Sequence, residues 1–310
     1  MQPRPPADRR FDVLGVGAAS VDFVYVVPHR IDPTVPSLTK MRIDRRLVLC
    51  GGQVATALAT SVSFGLRATF AGAIGNDDNG TRVRRELVSR GVDVSDAIVR
   101  DAPNQYAIIL VDDRSGERTI LWDRNPRLGL EERDLRPGAL EAARVVHLDD
   151  VDVDTAIRAA TLARGANAVV TTDIDEVTSR TMELVSASTF PIFAEHVPSA
   201  ITGIDEPGDA LRSLRRAHPG VLCATLGARG AIALEGDELV HSPAFVVEAV
   251  DTTGAGDVFR GGFIYGYLQG WSTERTLRFA NAAAALSCTR FGAMASVPSR
   301  DEVERFLQQR

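Results

Sequence analysis

The sequence predicts an α/β fold: a mostly parallel central sheet flanked by helices on both faces, with a small β-sheet lid. Three observations carry this expectation. Short apolar β-type runs alternate with segments of helical length along most of the chain, the pattern of βα units whose parallel sheet is covered on both sides. Two β-rich excursions, roughly 22–46 and 103–124, break that alternation without an intervening helix. A length of 310 residues, with 45% apolar and 25% charged side chains, suffices for one large domain with a substantial core.

Residues 1–10 are rich in proline and arginine and read as a loose tail. FDVLGVGAAS (11–20) is a buried strand opening the sheet, with Asp22 just beyond it. The stretch Val21–Leu49 carries Pro28, Pro33 and Pro36, which rules out a helix and predicts short, exposed strands. Gly51-Gly52 then introduces a small-residue helix closing at Gly65. A strand over Ala68–Ala73, a polar loop over Gly75–Gly80 and a helix over Thr81–Arg90 follow. YAIILVDDRSGERTILWD makes a β-hairpin turning at Asp113-Arg114-Ser115-Gly116. Beyond it, strands are expected at Val145–Leu148, Ala168–Thr172, Pro191–Ala194, Val221–Thr225, a hairpin near Ala231–Val240, and Phe245–Val250. Helices are expected at Thr155–Arg164, Asp175–Ala187, Asp209–Ala217, Asp257–Gln269, Thr273–Cys288 and Arg300–Gln309. The core therefore comprises 11–21, 47–102 and 125–310, and the lid 22–46 and 103–124.

Composition narrows the function classes. A net charge of −6 argues against a nucleic-acid binder held by a basic surface. No apolar run approaches the roughly 20 residues of a membrane span, and MQPRPPADRR does not open a secretory signal. The three cysteines (Cys50, Cys223, Cys288) form neither a disulfide framework nor a metal site and suit a reducing, cytoplasmic setting. The five histidines have no metal-ligand spacing. Lys40 is the only lysine among 35 basic residues, and GxxxxGK[ST] is absent. Phosphate chemistry here must therefore use backbone amides, arginines and metal ions.

The chemistry concentrates in FVVEAVDTTGAGDVFRGGFIYGYL (245–268). A glycine-rich turn feeding a helix presents free N–H groups to one point, where the helix dipole also favours negative charge. Asp257, at the rim of this anion hole, has its ionised form favoured by the helix end. It can take a proton from a hydroxyl attacking a phosphoryl group. Alone, a GxGD string is more often an N-cap and a turn. The full string DTTGAGDVF, however, resembles the signature of the ribokinase/PfkB carbohydrate kinase family.

Further landmarks match that family in order from residue 12 to residue 298. The resemblance implies a ribokinase-like fold with Asp257 as catalytic base and the amides of Gly254, Ala255, Gly256 and Asp257 as the anion hole. It implies sugar binding by Asp22, by the Gly51-Gly52 pair with Gln53, and by Asp149, which ends VVHLD at the carboxyl edge of the sheet. CATLGARGA is similar to the family's nucleotide loop, giving Thr225, Gly227 and Gly230 to ATP, with Asn281 beside the adenosine. Asp251, Thr253, Ser296 and carbonyls around Cys288–Ala293 would hold K⁺.

The chain departs from the family at two places. The sixth position counted from Gly51, often a sugar-binding asparagine, is Thr56. The NxxE element that organises Mg²⁺ falls on Ala194-Glu195-His196-Val197, leaving only Glu195 as a candidate for the metal role. Arg118 and Arg124 flank the lid and can clamp an anionic substrate group, or are simply solvated. GGxxATA, ERTI and CTR are similar to a subgroup that includes sulfofructose kinase. The expectation is an ATP- and Mg²⁺-dependent kinase acting on a sugar hydroxyl, dimeric through lids whose strand edges need covering. Two alternatives stay open: a nucleoside or sugar-phosphate kinase of the same fold, and a non-catalytic sensor, favoured only by the altered NxxE.

Overall fold

A computed structural model of the chain describes residues 7–29, 40–114 and 118–310. Its strands are β1 (Phe11–Val16), β2 (Ser20–Val27), β3 (Arg45–Gly51), β4 (Ala68–Phe70), β5 (Ala73–Gly75), β6 (Ile98–Arg100) and β7 (Tyr106–Asp112). They continue with β8 (Arg118–Asp123), β9 (Ala143–Leu148), β10 (Val169–Ile174), β11 (Phe190–Phe193), β12 (Leu222–Thr225), β13 (Ala231–Glu235) and β14 (Glu238–Ser242). The main sheet has the order β14-β13-β12-β11-β10-β9-β1-β4, parallel from β4 to β12 and closed by two antiparallel strands. Consecutive side chains of its strands enter opposite cores. Val145 and Val169 face the helices Gln53–Ser63, Ala255–Leu268 and Thr273–Ser287, whereas Val146 and Val170 face Val153–Gly165, Thr181–Ala187 and Pro207–Leu214.

The lid is a four-stranded sheet, order β3-β2-β7-β8, in which β2 and β7 run parallel and the two outer pairs antiparallel. It corrects two expectations. β2 is a single eight-residue strand, and six of those residues are buried, because its inner face closes a third core with β7 around Val24, Val26, Ile109 and Val111. β3 runs to Gly51, paired with Ser20, so 47–51 belong to the lid sheet. The Ser115-Gly116 end of the hairpin turn, most of the tail, Pro33 and Pro36 lie outside the described residues.

Other differences have local causes. Ala68–Ala73 divides between β4 in the main sheet and β5 in a two-stranded sheet with β6. The helix expected from Asp175 begins only at Thr181, because the Asp150 carboxylate accepts the N–H groups of Asp175 and Glu176, both at 2.8 Å, and holds that segment as a loop. The second helix starts early, at Asp78, where Asp77 caps it by accepting from Gly80 N–H. Phe245–Val250 does not form a strand; Val246 is 83% exposed and no described strand lies beside the segment. Short helices at Pro137–Glu141, Val197–Thr202 and Ala293–Ser296 carry too little periodicity to be read beforehand. Among the described residues no helix is long and apolar enough to cross a membrane.

Candidate active site

β1 has β4 on one side and β9 on the other, so the chain's progress along the sheet reverses there, and the carboxyl ends of the strands at such a point are where an α/β sheet takes its ligands. Asp149, one residue past β9, is buried at that edge, and its carboxylate accepts the Ala18 N–H at 2.6 Å and the Val151 N–H at 3.3 Å. Burial pushes its carboxyl up to about 7. Asp22 on β2 is buried as well, takes a 2.9 Å bond from the Ser20 hydroxyl, and is raised to about 6 by burial, with a further push from Asp251. The glycine pair has a steric reason. A Cβ on Gly51 would stand 2.2 Å from Asp22 Oδ2. One on Gly52, whose φ is 98° at the N-cap of Gln53–Ser63, would stand 2.6 Å from the Ala19 Cα. Gln53, the first residue of that helix, hydrogen-bonds the carboxylate of Asp173 at the end of β10.

The raised Asp149 gives a stability prediction. Between about pH 4 and about pH 7 the folded protein keeps a proton on Asp149 that the unfolded chain has released. Stability therefore falls as pH rises through that window and stays at the lower level above it. Asp149→Asn is expected to flatten this decline in the thermal midpoint. Superimposable pH profiles for the two proteins would refute the assignment.

The glycine turn has the left-handed backbone that its residues permit. Gly254 adopts φ 78° as N-cap of Ala255–Leu268, and its carbonyl accepts Val258 N–H at 2.9 Å. Ala255 N–H makes only a 3.3 Å bond to the Thr252 carbonyl, and the N–H groups of Gly254, Gly256 and Asp257 have no acceptor among the described residues. Asp257 is half-buried. Its carboxyl is raised well above the usual range by burial and by the charge of Asp173, with Arg260 opposing and Asp175 and Asp22 adding. That runs against the expectation that the helix end keeps it readily ionised: loss of water and three neighbouring carboxylates oppose the dipole.

Thr225 ends β12, its hydroxyl 3.3 Å from the Phe193 carbonyl, and Gly227–Arg229 forms a 3₁₀ turn before Gly230, which packs on the Ser242 carbonyl. Glu195 lies over this turn and pairs with Arg229 at 2.7 Å. Asn281 donates to Ser242 O at 2.8 Å, Ser242 Oγ at 3.1 Å and Pro243 O at 3.3 Å, tying its helix to the end of β14. Asp251 is buried, accepting from Thr253 N–H at 2.9 Å and Gly292 N–H at 2.8 Å. The buried Thr253 Oγ1 has no partner among the described residues, and the Ser296 hydroxyl donates to Ala293 O at 2.9 Å. An all-oxygen set with an orphaned hydroxyl fits a hard monovalent cation. No cluster of three or more His, Cys, Asp or Glu among the described residues would hold a metal. Mg²⁺ needs none, because it takes one or two carboxylates together with substrate phosphates.

Arg124 is a correction. Its guanidinium pairs with Asp152 at 2.5 Å and donates to the Leu128 carbonyl at 3.0 Å, so it bolts the lid's exit to the helix at Val153 and is not free to clamp a substrate. Arg118, by contrast, reaches from β8 to the Thr252 hydroxyl beside the glycine turn. Sequence reading missed the buried pair of Asp173 and Arg260, 2.5 Å apart. The available signal was Arg260 three residues after Asp257, on the same helix face.

Residues 12–300 match the family model described as pfkB family carbohydrate kinase. The chain is 34% identical over 267 residues to an ATP-dependent ribose-1-phosphate kinase from Halopiger xanaduensis, covering 84% of this chain and 87% of that protein. It is 28% identical over 309 residues to a nucleoside kinase from Methanothermobacter thermautotrophicus, covering 96% of both. Among solved structures, a protein from Agrobacterium tumefaciens provisionally named a ribokinase superposes with a TM-score of 0.89 at 30% identity, covering 96% of this chain and 98% of the other.

Proposed function

Because the chain belongs to the pfkB family of carbohydrate kinases, and is a sugar kinase of ribokinase-like fold, we propose that it moves the γ-phosphoryl of ATP to a hydroxyl of a sugar, with Asp257 as the base. One observation carries the reading: a half-buried carboxylate sits in the first turn of a helix whose leading N–H groups, apart from that of Ala255, have no acceptor among the described residues, so base and anion hole share one point. Asp257 accepts the proton of the attacking hydroxyl, and the Gly254–Asp257 amides take the charge on the transferred group. Asp22, Asp149 and the Gly51-Gly52 backbone orient the acceptor, while Thr225, Gly227, Gly230 and Asn281 border the nucleotide. Mg²⁺, when bound, neutralises phosphate charge, with Glu195 the nearest acidic side chain to the Gly227 turn. K⁺ would take Asp251, Thr253 and Ser296. The lid, closing over the acceptor, excludes water.

A second reading, a sugar phosphate as acceptor, is favoured by Arg118 at Thr252, which puts a lid guanidinium beside the anion turn. A single screen separates the readings: ATP and Mg²⁺, with and without K⁺, against ribose, fructose, ribose 1-phosphate, sulfofructose, 2-keto-3-deoxy acids and nucleosides. Turnover of at least one is expected, faster with K⁺. Ligand binding without turnover of any would leave a sensor.

The homodimer rests on the lid. β8 is an edge strand, and Ile120, Leu121 and Trp122 on it are 44%, 55% and 64% exposed. The protein is expected to sediment as a dimer at micromolar concentration, with Trp122→Lys shifting it to monomer. A monomer before the substitution would refute lid pairing. A reducing cytoplasm suits its three free thiols.

A further inference from the structure

We propose that Arg260, anchored by Asp173 and seated in the space that Gly256 leaves by lacking a side chain, is a positioning residue for phosphoryl transfer, fixing the orientation of Asp257 and the anion turn. The role in transfer rests on the kinase reading; the placement does not. Arg260 and Asp173 are 3% and 2% exposed, with Nη2 and Oδ1 2.5 Å apart. A buried ion pair returns little net stability, because desolvation offsets the attraction. Its position is therefore the informative feature.

Helical side chains lean toward the N-terminus of their helix, which carries the Arg260 guanidinium back over the preceding turn. A Cβ at residue 256 would lie 2.6 Å from its Nη1. Gly256 thus serves twice, as an amide donor and as the berth of the guanidinium. Asp173 in turn joins three elements: it lies one residue before the end of β10, receives Gln53 from the helix behind the glycine pair, and holds Arg260 from the helix that bears Asp257. Asp257 is faced by Asp173 and Asp175 from β10 and the loop after it, by Asp22 from β2, and by Arg260 from its own helix. Arg260 is also near His147 on β9 and Cys223 on β12. Burial drives that histidine down to about 3 and that thiol up to about 12, so both are neutral. Arg260 is then the single cation in this group. The Arg260 Nε has no acceptor among the described residues, so the carboxylate grips one end of the guanidinium and leaves the Nη1 end directed at the turn.

The test compares Arg260→Met, Arg260→Lys, Asp173→Asn and the double variant Arg260→Met/Asp173→Asn. The readouts are the ¹³C carboxyl titration of Asp257, assigned with Asp257→Asn, and the pH profile of kcat/KM for whichever acceptor the screen identifies. Arg260→Met is expected to move the titration and the acid limb up by about 1–3 pH units. Lysine should restore most of that, and Asp173→Asn should move both down. Arg260→Met leaves Asp173 buried without its partner and can fail to fold. The double variant leaves no unpaired charge, and its kcat is expected to fall about 10–100-fold from lost orientation, with the KM for ATP little changed. Unmoved titrations in the singles, or a double variant with unchanged kcat, would mean the pair is merely structural and overturn the proposal. If the unaltered protein phosphorylates none of the acceptors, the kinase reading falls, while the carboxyl titration still decides whether Arg260 sets Asp257.

Discussion

Asp257→Asn is expected to lower kcat by about 10²–10⁴-fold and to leave nucleotide affinity within a few-fold. The size is that of losing a positioned general base. Asparagine has the same shape and keeps the turn's backbone, so the Gly254–Asp257 amides and the Thr225–Gly230 loop proposed to border the nucleotide stay as they are. Folding does not explain the loss either. Asp257 is crowded by Asp173, Asp175 and Asp22 as well as by burial, so removing its charge relieves repulsion and leaves the thermal midpoint equal or higher. The pH profile supplies an independent check. A general base reacts as the carboxylate, and burial with the charge of Asp173 holds the Asp257 carboxyl well above the usual range. The unaltered enzyme should therefore gain rate as pH rises through a limb placed above an ordinary aspartate, and the residual activity of the variant should lack that limb. Retained turnover in Asp257→Asn, or an acid limb common to both proteins, would remove the base and with it the mechanism.

How much of this was legible beforehand depended on whether a residue's role is written in its own neighbourhood. The glycines were legible because backbone approach demands them: Gly51 against Asp22, Gly52 against the Ala19 backbone, Gly254 in the left-handed region. The main-sheet strands were legible because burial on both faces makes them continuous apolar runs, as in FDVLGV and VVTTDI. Phe245–Val250 is apolar like those strands but has no described strand beside it, and pairing is a tertiary fact. β2 looked exposed because of the prolines after it, whereas its burial comes from β7, far along the chain. Arg124 and Arg260 show the same limit from opposite sides. Neither spacing nor composition says that the first is spent on Asp152 or that the second is sunk against Asp173. In a chain with 34 arginines, the informative ones are marked only by the carboxylates that other elements bring to them.

Gly254→Ala is expected to cut kcat by about 10²–10³-fold, the range for disabling hydrogen-bond donors to a developing anion. Two separate effects act at this residue. At φ 78° any L side chain is strained, at about 1–2 kcal/mol. The new methyl would also lie 2.6 Å from the Ala293 Cβ and 2.7 Å from its Cα. Ala293 opens the short helix after Gly292, whose N–H holds Asp251, so it is poorly placed to yield. The turn must move instead, by roughly an ångström to reach ordinary van der Waals separation, and its amides leave the point where the proposal has them meet the phosphoryl charge. Gly65→Ala separates the two effects, since Gly65 has φ 91° with nothing within 4 Å of a Cβ. It should show the same conformational destabilisation with kcat unchanged. Adding Ala293→Gly to Gly254→Ala should recover only part of the rate, because the clash with the backbone at position 293 and the dihedral strain both remain. A Gly254→Ala protein as active as the original would show that the amides of this turn do not carry the phosphoryl charge, however well Asp257 serves as base.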